Sequence, residues 1–181
     1  MRIVSADDIQ KALTYRALID ALDEAFQSDI VVPARHHHTI EQEGADATLL
    51  LMPSWKEEGQ RFIGCKIVTV FPDNAKAQRP SVYGQYLLLS GDSGEPLAMM
   101  DGRALTAWRT ACASALAARY LARENASHLV MVGAGALAPH LIRAHASVRP
   151  IKRVSIWNRT KARAISLGFG VAVAGIEVDI A

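Results

Sequence analysis

The run Gly133-Ala134-Gly135-Ala136-Leu137-Ala138 fits the pattern G-x-G-x-x-G/A and stands between a β-rich run, His128 to Val132, and a helix-forming stretch, PHLIRAHASV. In such a turn the first glycine makes the tight bend and the second lets backbone approach a pyrophosphate. A small third residue allows helix and strand to pack closely. The free N–H groups and partial positive charge of the helix N-terminus then face the phosphates. The implied chemistry is the grip on a dinucleotide, with Gly133, Ala134, Gly135, Ala136 and Leu137 as cofactor-binding residues.

The residue at the end of the next β-run decides which dinucleotide. An acid there, roughly 20 residues beyond the glycines, bonds the ribose 2′-hydroxyl of NAD. This chain has Asn158, after Val154-Ser155-Ile156-Trp157. Asn158 is neutral and does not repel a 2′-phosphate, while Arg159 adds a planar cation and Thr160 a hydroxyl at a helix start. NADP(H) is favoured, and NAD(H) is possible. A purely structural reading makes Asn158 a cap for the next helix and leaves Arg159 and Lys161 solvated.

Other polar residues speak less clearly on type alone. Lys66 lies in the apolar run Phe62 to Phe71, where snorkelling out of a strand explains it as well as chemistry does. Arg109 lies in an alanine-rich stretch, where pairing with a carboxylate on a neighbouring helix is an ordinary role. The triple His36-His37-His38 invites a metal, but adjacent histidines on an extended segment point to alternate sides and no Cys, Asp or Glu spacing completes a ligand set; no metal is expected. Trp55, Trp108 and Trp157 read as packing aromatics, because the basic interleaving of a nucleic-acid groove is absent.

The elements that must position these residues follow from the pattern. Ser5 with Asp8 resembles a capping box, and Thr14 starts a second helix with Leu18, Ile19, Leu22, Ala25 and Phe26 on one face. Four β-rich runs come next, Ala47 to Met52, Phe62 to Phe71, Ser81 to Leu89 and Pro96 to Met100, with the turn cluster Ser90 to Glu95 joining the last two as a hairpin. An antiparallel or mixed sheet is expected. Asp101-Gly102 ends a strand and caps a long helix over Ala104 to Arg123, whose small side chains permit close packing. From residue 125 the grammar becomes β-α-β-α-β, with Val171 to Ile180 as a third strand. The chain is therefore α/β, with a mixed-sheet domain over 1–124 and a partial Rossmann domain over 125–181.

Length and composition are consistent with this and exclude several classes. With 181 residues, half of them hydrophobic, the chain buries a sizeable core. Twenty basic against eighteen acidic residues leave a net charge of +2, too balanced for nucleic acid or an anionic membrane surface. Cys65 and Cys112 show no CxxC spacing, and no apolar stretch reaches the roughly 18 to 20 residues of a membrane span, which suits a reducing cytoplasm.

Several segments together resemble the ornithine cyclodeaminase/mu-crystallin family: CKIVTVFPDN, RPSVYGQYLLLSGDSGEPLAMMDG, ALTAWRTACASALAARYLA, VMVGAGALA and RVSIWNRTKARA. The resemblance implies a substrate and dimerisation domain followed by a Rossmann domain, and a homodimer as the assembly. It implies reactions on small amino or imino acids: reduction of cyclic ketimines, ornithine cyclodeamination with NAD, or alanine dehydrogenation. By resemblance Arg35 and Arg109 match arginines near the substrate carboxylate, and Lys66 matches the active-site lysine; these three are the catalytic candidates. Ser81 matches a hydroxyl residue near nicotinamide and substrate, and Arg109 and Thr110 also border the cofactor. Tyr83 stands where many relatives have His, which bears on substrate preference. The favoured reading is NADPH-dependent reduction of Δ1-pyrroline-2-carboxylate or Δ1-piperideine-2-carboxylate to L-proline or L-pipecolate. A cyclodeaminase and a non-catalytic crystallin-like NADP-binding protein are the alternatives. The chain is expected to be shortened at its C-terminal side, since it supplies at most three of the six strands of a full Rossmann domain and the resemblance implies a longer chain; no residue matches the family's acid/base aspartate, and none is assigned.

Overall fold

A computed structural model describes residues 1–57, 59, 61–171 and 175–181. The chain divides into two compact units, Met1–Ala12 with Ala25–Thr106, and Leu13–Glu24 with Ala107–Ala181.

The first unit is built on seven strands: β1 (Arg2–Val4), β2 (Ile30–Val31), β3 (His36–Ile40), β4 (Ala47–Lys56), β5 (Phe62–Val70), β6 (Val82–Ser90) and β7 (Pro96–Asp101). They run in the order β1-β7-β6-β5-β4-β2, with β3 also on β4. β1 pairs parallel with β7 and the other pairs are antiparallel, so the sheet is mixed. The hairpin forms where the turn cluster placed it: Ser90 N–H donates to Glu95 O at 2.9 Å, and Gly94 adopts φ 73°. Helix α1 (Ala6–Ala12) starts on the expected box, Ser5 N–H donating to Asp8 Oδ2 at 3.0 Å and Asp8 N–H to Ser5 Oγ at 3.2 Å. Strands β1, β2 and β3 carry no period-2 apolar signal. β3 is exposed along its whole length and forms because β4 offers it a hydrogen-bonding edge.

Helix α3 (Gly102–Leu121) begins two residues earlier than the pattern suggested. Asp101 Oδ1 accepts the Ala104 N–H at 2.7 Å, which caps it. Its first residue also touches β6: a Cβ on Gly102 would stand 2.6 Å from Gly84 C and 2.7 Å from Gln85 N, so only glycine fits.

In the second unit, α2 (Tyr15–Phe26), α3 and α4 (Ala138–Val148) share a core of Ile19, Ala111, Cys112, Ala115, Leu116 and Ala144. The small residues of α3 are what admit this close packing. Arg149 closes the end of α3, donating from Nη2 to Arg119 O at 2.6 Å and Ala122 O at 2.9 Å. Contacts thus group most of α3 and most of α2 with the nucleotide-type segment, rather than dividing the chain at residue 124. Strands β8 (His128–Val132), β9 (Arg153–Trp157) and β10 (Glu177–Ile180) lie parallel in the order β10-β9-β8, joined by α4 and by α5 (Lys161–Gly170). The last strand is shorter than the expected Val171 to Ile180, and residues 172–174 of that stretch lie outside the described residues.

Met131, Ile142, Val154, Ile156, Ala164 and Leu167 form the core between this sheet and its helices. On the opposite face Val130 and Val132 are 58% and 71% exposed and Trp157 is 48% exposed, so of the three tryptophans Trp157 is not a packed aromatic. There His128 Nε2, Ser155 Oγ and Asp179 Oδ1 form a chain across the three strands with 2.7 Å links, and Arg153 holds the other oxygen of Asp179 at 2.8 Å. No helix among the described residues is long and apolar enough to cross a membrane.

Candidate functional site

Gly133 follows β8 directly and adopts φ 111°, a conformation open to glycine at no steric cost. Its N–H donates to Trp157 O at 2.8 Å, which ties the turn to the end of β9. Nothing lies within 4 Å of the place where a Cβ would stand on Gly133 or Gly135, so the backbone of the turn is open to an approaching group. α4 starts at Ala138 with Pro139 in its first turn, where a missing N–H deprives the helix of nothing. The residues therefore fit a dinucleotide pyrophosphate: bare backbone, a left-handed bend and a helix start aimed at one place. Leu137 offers backbone only, because its side chain packs into the α2–α3–α4 core.

Asn158 does not cap α5 but ties the glycine turn to the start of that helix. Its Oδ1 accepts the Ala134 N–H at 3.1 Å and its Nδ2 donates to Thr160 O at 2.9 Å. The N-cap of α5 is Thr160, whose hydroxyl makes no capping bond. A groove of about 490 Å3 runs from the glycine turn and Pro139 on one wall to Arg163, Ser166 and Leu167 on the other.

Arg109 and Thr110 sit on α3, with Arg109 exposed. The preceding Trp108 is buried and stacks on Tyr15 with ring centroids 4.3 Å apart. It also meets His140, in the first turn of α4, edge-on at 5.6 Å. The structure thereby brings the Arg109 turn of α3 beside the helix that carries the glycine turn. Tyr15 Oη and His140 Nδ1 are 3.0 Å apart. Burial, with help from Arg143, holds the His140 imidazole below the usual histidine range.

Arg35, Lys66 and Ser81 belong to the first unit. Arg35 precedes β3, and the pairings of His36 with Leu51 and of Met52 with Lys66 put Arg35 and Lys66 at one level of the sheet, two strands apart. Ser81 is not at that level. It precedes β6, where Val82 pairs with Val70, and Val70 lies four residue steps of roughly 3.3 Å each from Lys66. Its Oγ donates to Pro72 O at 3.4 Å.

Sequence reasoning missed Tyr86, which pairs with Lys66 on β5. Tyr86 leans over Gly64, where a Cβ would fall 2.8 Å from its ring carbon Cζ, and burial pushes its hydroxyl pKa up. A glycine inside an apolar strand was the available sign of such a close approach. Arg163 was also missed as a neighbour of the glycine turn. His36 and His38 share a face of β3 with ring centroids 6.3 Å apart, while His37 lies on the other face. Among the described residues no group of three His, Cys, Asp or Glu side chains is placed to hold a metal ion.

A glycine turn on a parallel β-α-β-α-β unit, preceded by a mixed sheet and a long small-residue helix, defines an α/β protein with a dinucleotide-binding module. The chain belongs to the ornithine cyclodeaminase/mu-crystallin family, whose model matches residues 1–181. It is 41% identical over 162 residues to the Δ1-pyrroline-2-carboxylate reductase of Colwellia psychrerythraea, covering 88% of this chain and 50% of that protein. It superposes with a TM-score of 0.88 and 30% identity on Thermococcus litoralis Δ1-pyrroline-2-carboxylate reductase in complex with NADH and L-proline, over 100% of this chain and 57% of that one. An archaeal alanine dehydrogenase dimer with bound NAD superposes at 0.87 with 26% identity, over 100% and 56%. The chain spans about half the length of the curated relatives it matches.

Proposed function

We propose that this chain is the substrate-binding part and the first nucleotide-binding part of an NADP(H)-dependent reductase of cyclic ketimine carboxylates, forming L-proline from Δ1-pyrroline-2-carboxylate or L-pipecolate from Δ1-piperideine-2-carboxylate. The observation that carries the cofactor choice is Asn158: a neutral amide, bonded to Ala134 and Thr160, stands where an NAD site needs an acid. The reductase reading is supported by the Colwellia and Thermococcus relatives, both of them Δ1-pyrroline-2-carboxylate reductases.

When bound, the nicotinamide supplies the hydride to the C=N carbon. The chain's own residues do the rest. Gly133, Gly135 and the start of α4 hold the pyrophosphate, and Asn158, Arg159 and Thr160 receive the 2′-phosphate. Arg35 of the first unit and Arg109 of the second are each able to offer a carboxylate charge-assisted bonds, which suits an α-imino acid. Lys66 assists charge and proton handling at the imine nitrogen, with Tyr86 as a wall beside it. The mixed sheet pairs with a second copy through the face bearing Leu49, Leu51, Cys65, Ile67 and Leu87, where Ile67 is 39% exposed.

Titration of the protein with NADPH and NADH, followed by fluorescence, and then addition of Δ1-pyrroline-2-carboxylate tests this reading. Tighter NADPH binding, with loss of nicotinamide absorbance on imine addition, supports it. NADH preference with ammonia released from ornithine assigns the protein to cyclodeamination, and binding without turnover assigns it to the crystallin-like class.

A further inference from the structure

From Ala126 to Ile176 the chain contains no Asp or Glu, yet it has seven Arg and Lys residues. Three of those cations already have work among the described residues: Arg149 holds the end of α3, Arg153 pairs with Asp179, and Arg143 donates to Gly170 O at 3.0 Å. Arg163 differs from them. It is exposed on α5, no hydrogen bond or ion pair of the described residues engages its guanidinium, and it lines the groove whose other wall is Ala134, Gly135 and Ala136. The helices on both sides, α4 and α5, carry no carboxylate, so nothing on either wall competes for the cation.

We infer that Arg163 is a specificity-determining residue for the phosphorylated dinucleotide, closing on the 2′-phosphate from the α5 side of the groove while Arg159 and Thr160 meet it from the strand end. This rests on the NADP(H) reading above and adds a contact to it. A guanidinium in the first turn of α5 offers a phosphate a bidentate fork. A 2′-hydroxyl gives it no charge to hold, so its effect falls on NADPH and spares NADH. Pro139 and Leu167 line the same groove and supply an apolar floor beneath the ribose.

The test is calorimetric titration of wild type, R163Q and R163K with NADPH and NADH, with thermal unfolding as a folding control. For R163Q the NADPH Kd is expected to rise about tenfold to a hundredfold, the range of a charge-assisted hydrogen bond. The NADH Kd is expected to change less than about twofold, and R163K is expected to recover part of the loss. Equal weakening of both cofactors, or no weakening of either, overturns the assignment of Arg163. Wild type that prefers NADPH alongside R163Q that keeps the full preference overturns this inference alone. Wild type with no preference for NADPH overturns both it and the cofactor reading beneath it.

Discussion

The Ala134 N–H donates to Asn158 Oδ1 across 3.1 Å, so the first residue after the bend of the glycine turn is fastened to the residue that ends the second strand. The same amide spends its Nδ2 on Thr160 O. N158D keeps an acceptor for Ala134 but sets a carboxylate oxygen against the Thr160 carbonyl and beside any 2′-phosphate. Its NADPH affinity is expected to fall by at least about tenfold, with NADH held or improved, in paired fluorescence titrations.

Two glycines separate stability from binding. G102A drives a methyl into the β6 backbone at 2.6 to 2.8 Å, and neither the strand nor a helix start capped by Asp101 gives way easily. It is expected to lose about 1–3 kcal/mol in urea unfolding. G135A meets nothing within 4 Å, so its unfolding midpoint should stay near wild type while dinucleotide affinity drops, because the methyl stands where the phosphates approach.

Cys112 is fully buried, and burial pushes its thiol up to about 11, whereas Cys65 is partly exposed. With Ellman's reagent at pH 8, the Cys112 thiol of the native protein is expected to react only on unfolding, whatever the state of Cys65. Fast reaction of Cys112 would sink the placement of α3 against α2 and α4.

The Asp179 carboxyl is held below its usual range, first by Arg153 and then by Ser155. A carboxylate lowered on folding contributes stability above its unfolded pKa, near 3.9, and loses that contribution as pH falls through the folded value. D179N is expected to flatten the acid limb of a melting-temperature profile below about pH 4. It leaves the region above pH 6 parallel to wild type.

Much of this was legible in the sequence because the signals were local. The capping box at Ser5 and Asp8, the hairpin at Ser90 to Glu95 and the glycine turn are each set by residues a few positions apart. β3 was illegible for the opposite reason: HHHTI has no apolar face of its own, and its pairing is imposed by β4. Trp157 was misjudged because aromatic type suggests packing, while the face it occupies is open among the described residues. Tyr86 beside Lys66 depends on strand register, and Arg163 beside the glycine turn on how α5 lies along α4. Neither relation is written in spacing along the chain.

The carboxylate-free groove has a consequence for how the site answers to acidity. Arginine stays charged throughout the physiological range, and Arg163 is the one ionisable side chain among the described residues that line the groove, so its walls do not change their charge between about pH 6 and 8. The ligand does. A phosphomonoester takes on its second negative charge near pH 6, so the preference for the phosphorylated dinucleotide should strengthen as pH rises through that value. The protonation event that tunes cofactor choice is then carried in by the cofactor.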